Sequence, residues 1–245
     1  MKRNKPKVRE ERRAKKEQTG RVLSPKWETE RQLPKLTPKT EFQREVLRSL
    51  ATQIVTVATG PAGSGKSLLT MTTISDQLRN GQIDKIYLSR PSVGMGKSLG
   101  LLPGSLRDKF EPYLMPLVEV MVKRHGAAWY ETALGNKQIE FVPLEYLRGR
   151  SFEDAFVIID EAQNVSPNEM YTILTRIGEG GKLAVLGDPN QHDLRGENGI
   201  DWVTDFAYNH QLENFIGVCE ADSDDIVRSG FCKAVVKARE KELGY

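Results

Sequence analysis

Gly60-Pro61-Ala62-Gly63-Ser64-Gly65-Lys66-Ser67 fits the pattern G-x-x-x-x-G-K-[ST] at every fixed position. Ahead of it runs Ile54-Val55-Thr56-Val57-Ala58, β-branched and apolar enough for a buried strand, and behind it Leu68 to Leu78 can continue as a helix. A glycine-rich turn between strand and helix lets successive backbone N–H groups face inward, with the positive end of the helix dipole behind them. Such a concavity holds phosphate oxygens. The reading therefore assigns Gly60, Pro61, Ala62, Gly63, Ser64, Gly65, Lys66, Ser67 and Leu68 to a nucleoside triphosphate: Lys66 reaches the β- and γ-phosphates, and the Ser67 hydroxyl ligates Mg²⁺.

Outward from this loop, strands and helices alternate. Strands are expected at Ile54–Ala58, Lys85–Ser89, Gln138–Val142, Phe156–Asp160, Lys182–Gly187 and Asn214–Val218, several too apolar to alternate faces, as in strands buried on both sides. Helices are expected at Glu41–Ala51, Leu68–Leu78, Tyr113–Arg124, Pro167–Ile177, Gly199–Tyr208 and Asp224–Lys241. The pattern is that of an α/β P-loop NTPase, a mainly parallel sheet with helices on both faces. Arg90 to Leu117, with four glycines and four prolines, reads as an irregular excursion from the sheet.

Composition sets limits. The 245 residues, 38% hydrophobic, suffice for one generous α/β domain or two small ones, but not for a second full motor domain. No apolar run reaches 18 residues and the N-terminus has no apolar signal region, so no membrane partner and a cytoplasmic location are expected. Cys219 and Cys232, with His125, His192 and His210, have no metal-ligand spacing. Charge is uneven. Met1 to Thr40 carries 14 Lys/Arg against 5 Asp/Glu, and its first twenty residues hold almost no large apolar side chain. Residues 1–35 are thus expected to be a mobile basic arm, and 36–245 a single folded domain. Such an arm can hold phosphate backbones in a salt-sensitive way, or merely solubilise the chain.

Phe156-Val157-Ile158-Ile159-Asp160-Glu161 is an apolar strand ending in two acids, the expected partner of a phosphate loop. Asp160 would hold Mg²⁺ through its water shell, and Glu161 would polarise the attacking water. Leu186-Gly187-Asp188-Pro189-Asn190-Gln191 is another strand end with a polar turn, where Gln191 can sense the γ-phosphate. Asp193-Leu194-Arg195-Gly196 mimics the D-x-x-G of GTPases, but no N-K-x-D guanine signature follows, so ATP is preferred over GTP.

Taken together these residues resemble the PhoH-type ATPases, a family related to the first motor domain of superfamily 1 helicases. The resemblance runs from about Leu36 to Arg239. It rests on Pro38-Lys39-Thr40-Glu41-Phe42-Gln43, on Arg90-Pro91-Ser92-Val93 through Leu99-Gly100-Leu101-Leu102-Pro103-Gly104, and on Pro143–Arg150. Asp160-Glu161-Ala162-Gln163-Asn164, Leu174-Thr175-Arg176, Gly187-Asp188 with Gln191, and Asp225-Ile226-Val227-Arg228 complete it. The resemblance implies an ATPase of RecA/helicase-like fold in which Gln43 contacts adenine. Gly94 and Lys97 stand where the family usually has acids, which makes that loop more basic, and Ser229 stands where the family usually has His. Short forms such as this resemble those of bacterial viruses, which would place the protein in a host cytoplasm.

Hydrolysis needs charge stabilisation at the γ-phosphate beyond Lys66 and Mg²⁺, and an arginine supplied in trans contributes about 10³ to 10⁵ in rate. With no second motor domain, a homo-oligomeric head-to-tail ring is expected, Arg228 being the first candidate for the shared arginine and Arg176 the second. Arg148 and Arg150 are assigned to the phosphate site or to nucleic acid. The favoured function is ATP hydrolysis coupled to binding or remodelling RNA or single strands. The alternatives are an ATP-dependent oligomeric switch acting on protein partners without translocation, and a small-molecule kinase, which Glu161 beside Asp160 disfavours.

Overall fold

The computed structural model describes residues 33–91, 106–191 and 196–243. The chain separates into Met1–Lys35 and Leu36–Tyr245, and all regular structure among the described residues lies in the second unit. Most of the basic segment (1–32), the family-like stretch 92–105 with Gly94 and Lys97, and Asp193, Leu194 and Arg195 of the D-x-x-G sequence lie outside the described residues.

In chain order the elements are α1 (Glu41–Thr52), β1 (Val55–Thr59), α2 (Lys66–Arg79), β2 (Lys85–Ser89), α3 (Leu106–His125), α4 (Ala127–Gly135) and β3 (Ile139–Phe141). Then follow α5 (Leu144–Leu147), β4 (Ala155–Ile159), α6 (Pro167–Leu174), β5 (Lys182–Gly187), α7 (Gly199–Asn209), β6 (Ile216–Glu220) and α8 (Gly230–Leu243). The six strands form one sheet in the order β3-β2-β4-β5-β1-β6, and every pair is parallel. Parallel pairing needs a crossover between strands, which is why helices cover both faces and why β1, β4 and, after Lys182, β5 are buried along their length.

Two apolar clusters sandwich the sheet. Phe42, Val46 and Leu50 of α1, Leu69, Met71 and Ile74 of α2, and Leu114, Leu117 and Met121 of α3 pack on one face. Leu144 and Leu147 of α5, Met170 and Ile173 of α6, and Ile200, Val203 and Ala207 of α7 pack on the other. Strand order skips at β1: the chain leaves it for β2, three places away, and returns only with β5 and β6 on its two sides. Ligand clefts of open α/β sheets form at the carboxyl ends of strands beside such reversals.

Two expectations need correction. From Leu106 the stretch read as an irregular excursion is helix, despite Pro112 and Pro116. Each proline removes one N–H from the helical ladder, but Leu114, Leu117, Val118 and Met121 are buried there, and that burial offsets the loss. The last helix begins at Gly230, not at Asp224, because the Asp222 side chain accepts from the backbone N–H groups of Asp224 and Asp225 and winds a separate 3₁₀ turn. Among the described residues, no helix is long and apolar enough to cross a membrane.

His125, at the end of α3, is buried between α2 and α4. Its Nε2 lies 2.9 Å from Ser75 Oγ and 3.4 Å from Asp76 Oδ1, its Nδ1 3.4 Å from an Arg79 nitrogen, and its ring 4.2 Å from that of Trp129. Burial, reinforced by the Arg79 and Arg124 charges against Asp76, holds the imidazole down to about 4. Below its ordinary value of 6.5 the unfolded chain takes up a proton that the folded chain refuses, so stability falls as pH drops from 6.5 toward 4. The loss amounts to about 3 kcal/mol. Chemical-denaturation midpoints measured across that window should decline in the wild type, and His125→Gln should flatten the His125 part of the decline.

Candidate nucleotide site

The loop between β1 and α2 has the backbone that its glycines predict. Gly60, Gly63 and Gly65 have φ of 121°, 95° and 99°, in the region that side chains avoid. At Gly60 a Cβ would stand 2.3 Å from the Ala221 carbonyl oxygen, so the close approach of the β6 end to the loop itself requires glycine. Ser64 is fully buried and its hydroxyl donates to Pro61 O. Val227 N–H donates to Gly63 O, pinning the segment that carries Arg228 against the loop.

Lys66, the first residue of α2, folds back so that Nζ donates to the carbonyls of Gly60 and Pro61. Burial lowers its pKa, while the negative charges of Asp188, Asp160 and Glu161 act in the opposite direction and hold the ammonium in place. Asp160 follows the last residue of β4. Burial and the adjacent Glu161 charge push its carboxyl up to about 6, against the pull of Arg90 and Lys66. Arg90, at the carboxyl end of β2, donates to Tyr113 O and lies 4.0 Å from Asp160 and 3.6 Å from Glu161.

Gln43 of α1 is buried, and its amide is engaged at both ends. Its Nε2 donates to Ser64 O at 2.9 Å, and its Oε1 accepts from Lys39 N–H at 2.8 Å. It joins the first helix to the loop. At the end of β5, Gln191 Nε2 donates to Asp188 Oδ2 at 2.6 Å, and Asp188 Oδ1 caps the turn by accepting from Asn190 N–H.

These groups line one cavity of about 690 Å³. Of the residues read from the sequence, Gln43, Ala62, Gly63, Gly65, Lys66, Ser67, Leu68, Asp160, Glu161, Gln191 and Arg228 border it, while Gly60, Pro61 and Ser64 form the loop behind. Arg228, expected to act in a neighbour, borders the cleft of its own chain. Arg176 does not border it: its carbonyl accepts from Phe152 N–H ahead of β4, so it lies at the amino edge of the sheet and is exposed. Arg148 pairs with Glu169 and Arg150 with Glu140, neither on the cavity. Arg90, Asp188 and Gln163 belong to the site but were not assigned roles from the sequence. Each sits at or just beyond the carboxyl end of a strand, which is the signal that would have found them.

The glycine-lined loop, the desolvated lysine and the strand-end acid pair on one cavity are the signature of a P-loop NTPase fold. The family model described as "PhoH-like protein" matches residues 35–240. The chain belongs to the PhoH family. It is 39% identical over 206 residues to a PhoH-like protein of Bacillus subtilis, covering 83% of this chain and 64% of the relative. A PhoH-like protein of Synechocystis is 35% identical, over 83% of this chain and 62% of its own. Protein PhoH of Escherichia coli K12 is 34% identical, over 82% and 57%. The chain thus spans about three fifths of the length of these curated PhoH relatives. Among solved structures, the HK97 bacteriophage large terminase aligns over 77% of this chain and 40% of its own, at 13% identity and a TM-score of 0.43, a likeness too slight to bear on function.

Proposed function

We propose that this PhoH-family domain binds ATP with Mg²⁺ and hydrolyses it. The observation that carries the reading is that the acid pair Asp160–Glu161 lines the same cavity as Lys66 and lies within electrostatic reach of its ammonium. Gln43 borders the adenine end, the loop N–H groups and Lys66 receive the phosphates, and Gln191 meets the γ-phosphate. Oxygen donors suit a hard divalent cation, and an Asp160 carboxyl whose charge is opposed by burial and by Glu161 gains most from one, so Asp160 and Ser67 would hold it. When bound, Mg²⁺ neutralises charge on the phosphate oxygens.

Glu161 accepts a proton from water as the water oxygen bonds to the γ-phosphorus. The bond from that phosphorus to the β–γ bridging oxygen breaks, and ADP leaves with its electron pair. Arg228, on the chain's own cleft, serves the phosphates in cis. Arg176, exposed and away from its own site, is then the arginine offered to a neighbour in a homo-oligomeric ring. We assign 36–245 to one ATPase domain and 1–35 to a basic arm that engages RNA or single-stranded nucleic acid, whose support is the charge surplus of Met1–Thr40.

The test is steady-state phosphate release from ATP with and without single-stranded RNA and DNA at two salt concentrations, with Lys66→Ala as blank. Stimulation by one polymer that fades with salt is expected. Hydrolysis indifferent to both polymers would favour the oligomeric switch acting on proteins, and none above the blank would sink the hydrolase reading.

A further inference from the structure

Gln163 is 2% exposed and lies in the 3₁₀ turn Ala162–Asn164, two residues past Glu161. Its side chain reaches three separate groups. Nε2 donates to Glu161 Oε2 at 2.6 Å and, at 3.4 Å, to the Gln191 carbonyl, while Oε1 accepts from Asp188 N–H at 3.2 Å. One orientation of the amide satisfies all three: reversing it would set an oxygen against the carboxylate and the carbonyl, and an N–H against a donor. The two strand ends are built around this amide. A Cβ at Gly187 would stand 2.4 Å from Gln163 Oε1 and 2.7 Å from Ile200 Cδ1, so only glycine at the end of β5 leaves the amide room.

Glu161 itself adopts φ of 54°, a left-handed conformation rare for a residue with a side chain. Such a conformation persists where the surroundings over-determine it. Here its carboxylate has the short bond from Gln163 on one side and Arg90 at 3.6 Å on the other. The same amide touches both ends of the turn Asp188–Gln191, whose Gln191 side chain borders the phosphate cavity.

We infer that Gln163 is a positioning residue that ties the direction of the Glu161 carboxylate to the state of the Asp188–Gln191 turn, so that the water-activating group is aimed only when the turn is seated on a terminal phosphate. The inference rests on the hydrolase reading above. Gln163 does not border the cavity, so its effect falls on the rate and not on the capture of nucleotide. A misdirected base of this kind loses on the order of 10- to 100-fold in rate.

The experiment compares phosphate release by wild type, Gln163→Leu, Gln163→Glu, Glu161→Gln and the Glu161→Gln/Gln163→Leu double variant, with equilibrium binding of a fluorescent ATP analogue to each. Gln163→Leu keeps the size and removes all three bonds; Gln163→Glu keeps the shape but opposes the Glu161 carboxylate with another. Expected are kcat values 10- to 100-fold down in both single Gln163 variants, KM and analogue affinity within about twofold of wild type, and no further loss when Gln163→Leu is added to Glu161→Gln. Intact analogue binding certifies the fold; should Gln163→Leu bind no analogue, Gln163→Glu decides alone. Unchanged kcat, KM rising in step with the loss, or a double variant showing the product of the two single losses would overturn the positioning role alone. A wild type that binds the analogue but releases no phosphate would sink the hydrolase reading and this role with it.

Discussion

Lys66→Ala is expected to release phosphate from ATP about 10²- to 10³-fold more slowly than wild type, the usual cost of deleting one preorganised donor to developing oxyanion charge. The expectation follows from what surrounds the ammonium. Nζ has carbonyl partners on the loop itself and three carboxylates, Asp160, Glu161 and Asp188, within electrostatic reach. Burial has already stripped much of its water, so little further desolvation accompanies exchange of a carbonyl for a phosphate oxygen. Removing the ammonium also takes away one of the positive charges that counter burial at Asp160, so that carboxyl rises further above its already elevated value. Binding of a fluorescent ATP analogue should weaken in parallel.

The fold should not suffer. Leu69, Met71, Ile74 and Leu78 anchor α2 in the core, and none depends on the Lys66 head group. An unchanged melting midpoint with lost phosphate release is the expected pair of results. Wild-type rates in Lys66→Ala would show that the glycine loop is not the phosphate site.

Much of this architecture is legible in the sequence because the information is local. The apolar runs that become β1, β4 and β5 are buried on both faces and need no alternation, and the loop glycines are fixed by their own backbone angles. What escapes is set by distant parts of the chain. The strand order, with β5 between the loop strand and the acid strand, depends on which crossover packs where. Helix α4 has no side-chain cap and begins after a glycine at φ 92°, and the four residues of α5 are too few to display a period. The prolines of α3 suggest a break that burial of the following leucines overrides. At the site, Lys66, Asp160 and Glu161 announce themselves by spacing. Gln163 and Arg90 do not, since their meaning lies in partners 25 and 70 residues away.

Glu161→Gln should bind ATP at least as well as wild type while hydrolysing it about 10²- to 10⁴-fold more slowly, the range associated with losing a positioned general base. Glutamine keeps an oxygen to accept the Gln163 bond, so the neighbouring turn retains its shape, but its amide cannot take a proton from water. Removing the negative charge also has a consequence next door. Glu161 is one of the causes that push Asp160 up to about 6, and without it Asp160 ionises more readily and competes better for a cation. The double effect, lost proton acceptance with retained or tightened nucleotide binding, separates this variant from Lys66→Ala, which should lose both. Rapid filtration of the variant mixed with radiolabelled ATP should recover intact ATP on the protein, where the wild type would yield ADP. A Glu161→Gln protein turning over within about fivefold of wild type would remove Glu161 from the chemistry and leave water activation to another group on the cavity, of which Asp188 is the nearest carboxylate to Gln191.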